Sequence, residues 1–246
     1  MLFYKLIMAK ARNLILLILL ILVADQALKI WVKTNMPLSY HWDASHQPLT
    51  PYDRGIKMFG ENAEWAQLYF VENEGMAWGW KFGGEFGKIA LTLFRMVAVV
   101  FGVWYIRSIL RKQQHPGFIV CVGLIFAGAL GNLIDSLFYG LIFEESTYTS
   151  VAKMFPEQGY AGFLHGKVVD MFYFPIIRTT YPEWMPFVGG EDFEFFSPVF
   201  NIADASISVG VIALLIFQNK FLPKEEKDKK RPIETSTRVN DDVQVS

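Results

Sequence analysis

The sequence predicts an integral membrane protein that is mainly α-helical, with four transmembrane helices, an extracytoplasmic β-rich cradle and a long extracytoplasmic loop. Apolar residues make up 52% of the chain, aromatic residues 16%, and the mean hydropathy is +0.27. That balance is too apolar for an ordinary soluble domain. Four apolar stretches are each long enough to cross a bilayer, which takes roughly 20 residues. They cover about residues 13–32, 88–110, 117–139 and 198–218.

The first stretch favours a retained membrane helix over a cleaved signal peptide. Its unbroken apolar run, Leu14 to Ala24, has the length of a signal-peptide core. However, apolar residues resume directly after Asp25 and Gln26, and no small-residue cleavage site precedes a clear mature start. Asp25 and Lys29 lie four residues apart, where side chains on a helix meet, so we expect an ion pair between them.

Residues 33–87 have the composition of a water-facing or interfacial segment, with several prolines and acidic residues. Within this segment, residues 65–71 are rich in aromatics and broadly alternate between apolar and polar, which predicts a strand. Glycines and tryptophans follow at residues 74–80, a combination typical of turns at the membrane–water boundary.

The distribution of basic residues predicts the orientation in the membrane. Basic residues cluster at residues 5–12, 107–112 and 220–231. Four spans place both termini on one side, and all three clusters then lie on that side. By the positive-inside rule this side is the cytoplasm, so loops 33–87 and 140–197 are extracytoplasmic. Residues 220–246 are predicted to form a basic, disordered cytoplasmic tail.

With this topology, several polar residues of the predicted spans lie at a similar depth, near the extracytoplasmic surface. They are Asp25, Asn132, Asp135, Asn201 and Asp204. A carboxylate in a membrane helix is costly and is normally kept only with a partner or a function. Asn201 and Asp204 are three residues apart and share a helix face. The common depth of these residues indicates a site.

Loop 140–197 contains a candidate partner for Asp204. At about 58 residues, the loop exceeds an ordinary connection and is expected to be structured or functional. Asp170 lies in it among β-branched and aromatic residues, in a stretch expected to be extended. Two carboxylates that share a site retain one proton between them. Such a pair can activate a water and protonate a leaving amine, as in an aspartic peptidase. On sequence position alone, a catalytic pair and structural carboxylates both remain open.

Five short motifs in chain order make the sequence resemble the lipoprotein signal peptidases, or signal peptidase II, of bacteria. The motifs are Asp25-Gln26-x-x-Lys29, Asn73-x-Gly75-x-Ala77-Trp78-Gly79, Gly128-Ala129-Leu130-Gly131-Asn132-Leu133-Ile134-Asp135, Val168-Val169-Asp170-Met171 and Phe200-Asn201-x-Ala203-Asp204-x-x-Ile207. Each motif is weak alone. Five of them in family order across residues 25–210, together with four matching spans, are highly specific.

The resemblance implies a single membrane peptidase domain over residues 1–219, in the bacterial cytoplasmic (inner) membrane, with its active site at the extracytoplasmic face. The implied activity is that of an aspartic endopeptidase. It removes signal peptides from diacylglyceryl-modified prolipoproteins by cleavage just before the lipidated cysteine. The implied partners are these prolipoproteins and membrane lipid, with no cofactor, metal or nucleic acid, and the chain is expected to act as a monomer.

The resemblance also assigns roles to individual residues. Asp170 and Asp204 match the two catalytic aspartates. The positions that bind substrate or support the pair are Asn73, Gly75, Asn132, Asp135, Asn201 and Ala203. Asparagines in a membrane bundle also hydrogen-bond between helices, so a purely structural role for Asn132 and Asn201 stays open. Asp25 and Lys29 are expected to be structural.

The sequence departs from the family pattern at two points. Ser136 stands where the family usually has an arginine, directly after the aspartate of the third motif. The connections from Asp135 to Asp170 and from Asp170 to Asp204 are also longer than is common in the family. We hypothesise that Arg95 or Lys167 supplies the missing cation.

Two other function classes remain as alternatives. A small transporter or proton relay could use the same carboxylates, but four spans without repeats or broken helices disfavour it. A non-catalytic membrane scaffold predicts that Asp170→Asn and Asp204→Asn are silent. The four histidines are scattered, and the two closest, His41 and His46, lack a nearby third ligand, so a metal site is not expected.

Overall fold

The computed structural model describes residues 2–39, 55–60, 62–63, 65–73, 84–175, 177–195 and 198–221. Four long helices lie within these residues: α1 (Leu2–Asn35), α2 (Gly84–Arg111), α3 (Pro116–Ile142) and α4 (Ile202–Phe221). All four contain a stretch long and apolar enough to cross a membrane. The prediction of a mainly helical membrane protein with four spans is confirmed. The predicted tail lies outside the described residues from position 222 onward.

Helix α3 is central to the bundle, because each of the other three helices makes its most extensive helix contact with α3. Its contact with α4 is close enough to involve the backbone. A side chain at Gly128 would collide with the carbonyl oxygen of Ala203 and with the side chain of Ile207. Small residues allow membrane helices to approach in this way. The glycines of the third motif therefore bring the start of α4 directly onto α3.

A four-stranded antiparallel sheet covers one end of the bundle. Its strands run in the order β1 (Ile56–Lys57), β2 (Gln67–Asn73), β3 (Val168–Tyr173) and β6 (Val199–Phe200). A buried apolar cluster joins the sheet to the ends of α1 and α3. The cluster contains Val32, Met36, Leu68, Phe70, Tyr139, Phe143, Val169 and Met171. The predicted β-rich cradle is present, although β2 begins and ends two residues later than predicted.

The last predicted span, residues 198–218, begins too early. Val199 and Phe200 form β6 instead of helix, because they pair with Tyr173 and Phe172 of β3. Helix α4 starts only at Ile202. A run of apolar residues gives no sequence signal for the boundary between a short strand and a membrane helix. Only the pairing with β3 sets that boundary.

The 34 residues from Asp170 to Asp204 do not separate the two carboxylates in space. Strands β3 and β6 are hydrogen-bonded neighbours, and β6 continues directly into α4. The intervening chain forms a separate antiparallel hairpin of β4 (Ile177–Thr180) and β5 (Asp192–Phe195). The long connection therefore leaves the sheet and returns to the adjacent strand.

The connection between α3 and β3 folds back along the end of α3. We call residues 151–166 the return segment. Its backbone amides donate to carbonyl oxygens of α3 in reverse order: Phe155 to Ile142, Ala161 to Gly140, Leu164 to Leu137 and Gly166 to Ser136, at 2.7–3.4 Å. The last carbonyls of a helix have no partner within the helix. The return segment satisfies two of them, those of Gly140 and Ile142.

Candidate active site

The site begins at the first turn of α4, where Asn201 and Asp204 hold each other. The Asp204 backbone amide donates to the Asn201 Oδ1 atom at 2.8 Å, and the Asn201 backbone amide donates to the Asp204 Oδ2 atom at 3.4 Å. This is the reciprocal arrangement of a helix capping box. The negative side chain lies at the positive end of the helix dipole, a favourable place for a carboxylate. The predicted shared face is thus a capping interaction.

Asp170 is placed beside this capping box by the sheet. The Asn201 Nδ2 atom donates to the Asp170 Oδ1 atom at 2.7 Å, and the Asn73 Nδ2 atom lies 3.4 Å from the Asp170 Oδ2 atom. Asp170 is buried. Asn201 therefore links the two aspartates, since its amide group contacts Asp170 while its carbonyl oxygen holds the Asp204 backbone. The two carboxylates that the sequence analysis paired are brought together.

Asn132 orients Asp204 from the side of α3. The Asn132 Nδ2 atom donates to the Asp204 Oδ1 atom at 2.8 Å. The Asn132 Oδ1 atom accepts from Lys29 at 2.9 Å and from Asn201 at 3.2 Å. An amide whose oxygen is occupied by two donors can present only its NH₂ group to the carboxylate. Lys29 thereby determines which end of Asn132 faces Asp204.

Lys29 is completely buried and has three oxygen partners for its three donor positions. Its Nζ atom lies 2.9 Å from Asp25, 2.8 Å from Asp135 and 2.9 Å from the Asn132 Oδ1 atom. The predicted Asp25–Lys29 ion pair is present. The second oxygen of Asp25 accepts from the Ala203 backbone amide at 2.9 Å, which joins α1 to the first turn of α4.

Asp135 faces Lys29, and its contacts point to positioning. Besides the ion pair, it accepts from the Gln26 Nε2 atom at 2.8 Å and lies 3.4 Å from the Val169 amide nitrogen. Val169 directly precedes Asp170, so the second contact fixes β3 beside the site. Sequence reasoning quoted Gln26 only as part of a motif. Its position next to Asp25 was the signal that could have identified it.

Arg95 occupies the edge of the site, next to the residue that departs from the family pattern. Its Nη1 atom donates to the Ser136 Oγ atom at 2.9 Å, and Ser136 in turn donates to the Asn132 carbonyl oxygen at 2.9 Å. The positive charge of Arg95 interacts favourably with Asp204, Asp135 and Asp170. Lys167, the other hypothesised cation, pairs with two glutamates, Glu72 and Glu145.

The electrostatics of the pair favour one shared proton. Burial, together with the negative charge of Asp204, raises the pKa of Asp170 to about 7. The positive charge of Lys29 and the hydrogen bonds from Asn73 and Asn201 act in the opposite direction, with smaller effect. A buried carboxyl beside a like charge keeps its proton to a higher pH. Asp170 therefore keeps its proton to a higher pH than an ordinary aspartate does.

A second buried charge cluster lies on the far face of the sheet. Lys33 forms an ion pair with Glu72, and Ser146 bridges the two, 2.7 Å from Lys33 and 2.8 Å from the Glu72 Oε1 atom. The rings of Phe143 and Tyr160 lie 5.4 and 4.9 Å from the Lys33 Nζ atom. Sequence reasoning did not assign Lys33 and Glu72 to a site. The spacing of Lys29 and Lys33, one turn apart on a membrane helix, was the available signal.

Part of the second motif cannot be placed. Gly75, predicted to bind substrate or support the pair, lies outside the described residues, as do Trp78 and Trp80.

Comparisons with known proteins agree with the motif pattern. The family model described as signal peptidase (SPase) II matches residues 17–220. A lipoprotein signal peptidase of Porphyromonas gingivalis is 47% identical over 202 residues, which cover 81% of this chain and 80% of that protein. One of Amoebophilus asiaticus is 32% identical over 199 residues, 80% of this chain and 74% of that protein.

The fold also has a solved counterpart. A bacterial membrane enzyme determined by the in meso method at 2.3 Å resolution superposes with a TM-score of 0.50. The match covers 89% of this chain and 94% of that chain at 21% identity, which supports the fold alone.

Proposed function

This chain belongs to the signal peptidase II family, and from that premise we propose how it removes signal peptides from prolipoproteins. It is a multi-pass bacterial membrane protein and a peptidase of the aspartic type. In the proposed reaction Asp170 and Asp204 form the catalytic pair. The substrate is a diacylglyceryl-modified prolipoprotein, which is cut just before the lipidated cysteine. The enzyme acts as a monomer and without a metal or an organic cofactor.

The observation that carries this proposal is the link between the two carboxylates through Asn201. One carboxyl of such a pair is protonated and the other is ionised, so acid and base chemistry are available at one place. Asp204, held by Asn132 and by the capping box, is assigned as the base. Asp170, with its raised pKa, is assigned as the acid.

The proposed reaction follows from these two charge states. Asp204 takes a proton from a water molecule as its oxygen attacks the carbonyl carbon of the scissile peptide bond. Asp170 donates its proton to the carbonyl oxygen, which balances the charge of the tetrahedral intermediate. The C–N bond then breaks as Asp204 passes its proton to the leaving nitrogen, and the proton on the former carbonyl oxygen returns to Asp170. General acid–base catalysis requires each of these proton transfers to take place within hydrogen-bond reach.

The membrane setting suits a lipid-modified substrate. We assign the sheet and the catalytic pair to the extracytoplasmic face and both termini to the cytoplasm. Support comes from the basic residues at 5–12 and 107–112, which flank the helix ends opposite the sheet. The acyl chains and the apolar signal helix remain in the bilayer. A short extended segment of the substrate reaches the pair where α4 begins.

The decisive experiment is cleavage of a lipid-modified prolipoprotein by purified protein. We expect Asp170→Asn and Asp204→Asn each to lower the rate by at least about 10²- to 10⁴-fold, the usual contribution of a positioned acid or base. Glu145→Gln is the matched control, because this carboxylate is 68% exposed and pairs only with Lys167 among the described residues. If both aspartate variants keep the wild-type rate, Asp170 and Asp204 are not the catalytic pair. Ion flux in proteoliposomes without cleavage would instead favour the transporter alternative.

A further inference from the structure

The return segment runs back along the side of α3, although it belongs to no transmembrane helix. Its contact with α3 begins at the helix end, where Phe155 donates to Ile142, and continues to Leu164, which donates to Leu137. Leu137 lies five residues before the end of the helix. At 1.5 Å per residue, the segment descends about 7 Å along α3. Ala161 also packs closely on Gly140, so the descent follows the helix surface.

The length of α3 indicates what depth this is. Its 27 residues give a helix of about 40 Å, whereas the hydrocarbon core of a bilayer is about 30 Å thick. A centred α3 therefore extends about 5 Å beyond the core at each end. Leu137 then lies at the boundary between acyl chains and headgroups. The return segment occupies the headgroup layer and reaches down to that boundary.

The segment exposes polar side chains, Lys153, Glu157 and Gln158, but it also exposes large apolar ones, and these continue the apolar surface of α3. Phe155 is 73% exposed and Phe163 is 49% exposed. The Phe163 ring lies 5.9 Å from the ring of Phe138 on α3. Phe138 is exposed, and so is Leu141, about one helical turn further along α3. Large aromatic side chains in contact with water on a loop are unfavourable. Phenylalanine side chains are favourably buried at the boundary between headgroups and acyl chains.

We propose that the return segment is an interfacial membrane element, with Phe155 and Phe163 inserted at the acyl-chain boundary of the leaflet on the sheet side. Its occupant is lipid, because its apolar surface is continuous with that of α3 and lies at the same depth. Gly166 ends the segment with a bond to Ser136 and leads through Lys167 into β3. The membrane surface therefore helps to hold the strand that contains Asp170 at a defined depth.

The single cysteine of the chain makes a direct depth measurement possible. In a Cys121→Ala background, nitroxide spin labels are placed on Phe155→Cys and Phe163→Cys. Thr149→Cys, exposed in the preceding part of the same loop, is the water control, and Phe101→Cys, exposed on α2, is the lipid control. Each protein is reconstituted in phosphatidylcholine vesicles. Collision rates with oxygen, which concentrates in the bilayer, and with a water-soluble nickel chelate are then compared.

We expect the oxygen-to-nickel ratio at positions 155 and 163 to exceed that at 149 several-fold and to stay below that at 101, which lies near the middle of α2. Ratios equal to the value at 149 would overturn the proposal, because the segment would then face water. Low collision rates with both reagents would also overturn it, because a protein surface such as a second copy would cover the segment. The measurement does not use cleavage, so it stands or falls separately from the proposed catalytic pair.

Discussion

Lys29 and Lys33 lie one turn apart on α1 and are both completely buried, yet they have different surroundings. Lys29 contacts three oxygen atoms, from two carboxylates and an amide. Lys33 contacts one carboxylate and one hydroxyl, and aromatic rings surround the rest of its ammonium group. Among the described residues, the Glu72 Oε2 atom accepts no hydrogen bond and has Lys167 at 3.6 Å.

The difference separates two structural tasks. The partners of Lys29 belong to α1 and α3, and they continue to Asp204 through Asn132 and to the start of α4 through Asp25. The partners of Lys33 belong to β2 and to the connection after α3, so this cluster holds the sheet on the helix ends. A network in which every partner is satisfied fixes geometry more strictly than a pair packed among rings. The strict network adjoins the proposed catalytic pair.

Removal of Lys29 should have the largest effect. Lys29→Met leaves Asp25 and Asp135 buried without a cation, and breaking one buried pair costs about 3–5 kcal/mol. It also frees Asn132 to turn its oxygen toward Asp204. We expect no detectable cleavage and a marked fall in the thermal unfolding temperature in detergent. Cleavage at the wild-type rate by Lys29→Met would contradict the role given to this network.

Removal of Lys33 should destabilise the protein without abolishing the reaction. Lys33→Met leaves Glu72 with only the more distant Lys167, at 3.6 Å, as a cation, at a cost of up to about 3–5 kcal/mol. In the double variant Lys33→Met with Glu72→Gln no uncompensated charge remains, so we expect much of the stability to return. Cleavage per folded molecule should stay within several-fold of wild type in both. The separate roles given to Lys29 and Lys33 would be wrong if the double variant is no more stable than Lys33→Met alone. They would also be wrong if its cleavage rate falls as far as that of Lys29→Met.

The two faces of β2 should differ in their effect on the pH profile. Asp170 must be protonated to act as the acid, so activity should fall as the pH rises through the pKa of about 7. The hydrogen bond from Asn73 lowers the pKa of Asp170. Asn73→Ala should therefore move this alkaline limb to higher pH, besides slowing the reaction. Glu72→Gln, on the opposite face of the strand, should leave the limb in place. Cleavage rates measured between pH 5 and pH 9 give the position of the alkaline limb in each variant. Equal shifts in the two variants would contradict the prediction that only the Asn73 face of β2 acts on Asp170.

The smallest effect is expected for Ser146→Ala. The hydroxyl of Ser146 bridges Lys33 and Glu72, and a hydrogen bond to a charged group contributes about 1.5–3 kcal/mol. The ion pair itself remains, so a small fall in unfolding temperature with unchanged cleavage is expected. Ser136→Ala is the informative counterpart, because Ser136 lies between Arg95 and Asn132. If Ser136→Ala lowers cleavage more than Ser146→Ala does, the result supports the contrast between the Lys29 network and the Lys33–Glu72 cluster. The reverse order would contradict that contrast.

The helices could be predicted from the sequence because hydrophobic length and flanking charge act locally. Strand β3 was also visible, from the β-branched and aromatic residues around Asp170. Strand β6 was not, since Val199 and Phe200 are two apolar residues in front of an apolar helix. The path of the return segment rests on backbone bonds to α3, and backbone bonds leave no pattern in side-chain type.

The candidate site was predicted in its polar residues and missed in part of its support. Asp170, Asp204, Asn132 and Asn201 belong to recognisable motifs and form one connected network. The Lys33–Glu72 pair could not be derived, because the partner of a buried charge is chosen by how distant elements pack. The orientation that Lys29 gives to Asn132 likewise could not be predicted from the sequence, because it depends on how α1 packs against α3.

The hairpin of β4 and β5 leaves and rejoins the sheet at adjacent strands, so its length is uncoupled from the geometry of the carboxylates. In evolutionary terms this is a place where chain can be gained or lost while β3 and β6 keep their pairing. It is also a natural position for protein engineering, since Phe187 at its tip is fully exposed. An epitope or a fluorescent reporter grafted at that tip should be displayed on the sheet side of the membrane by an enzyme whose reaction is unchanged.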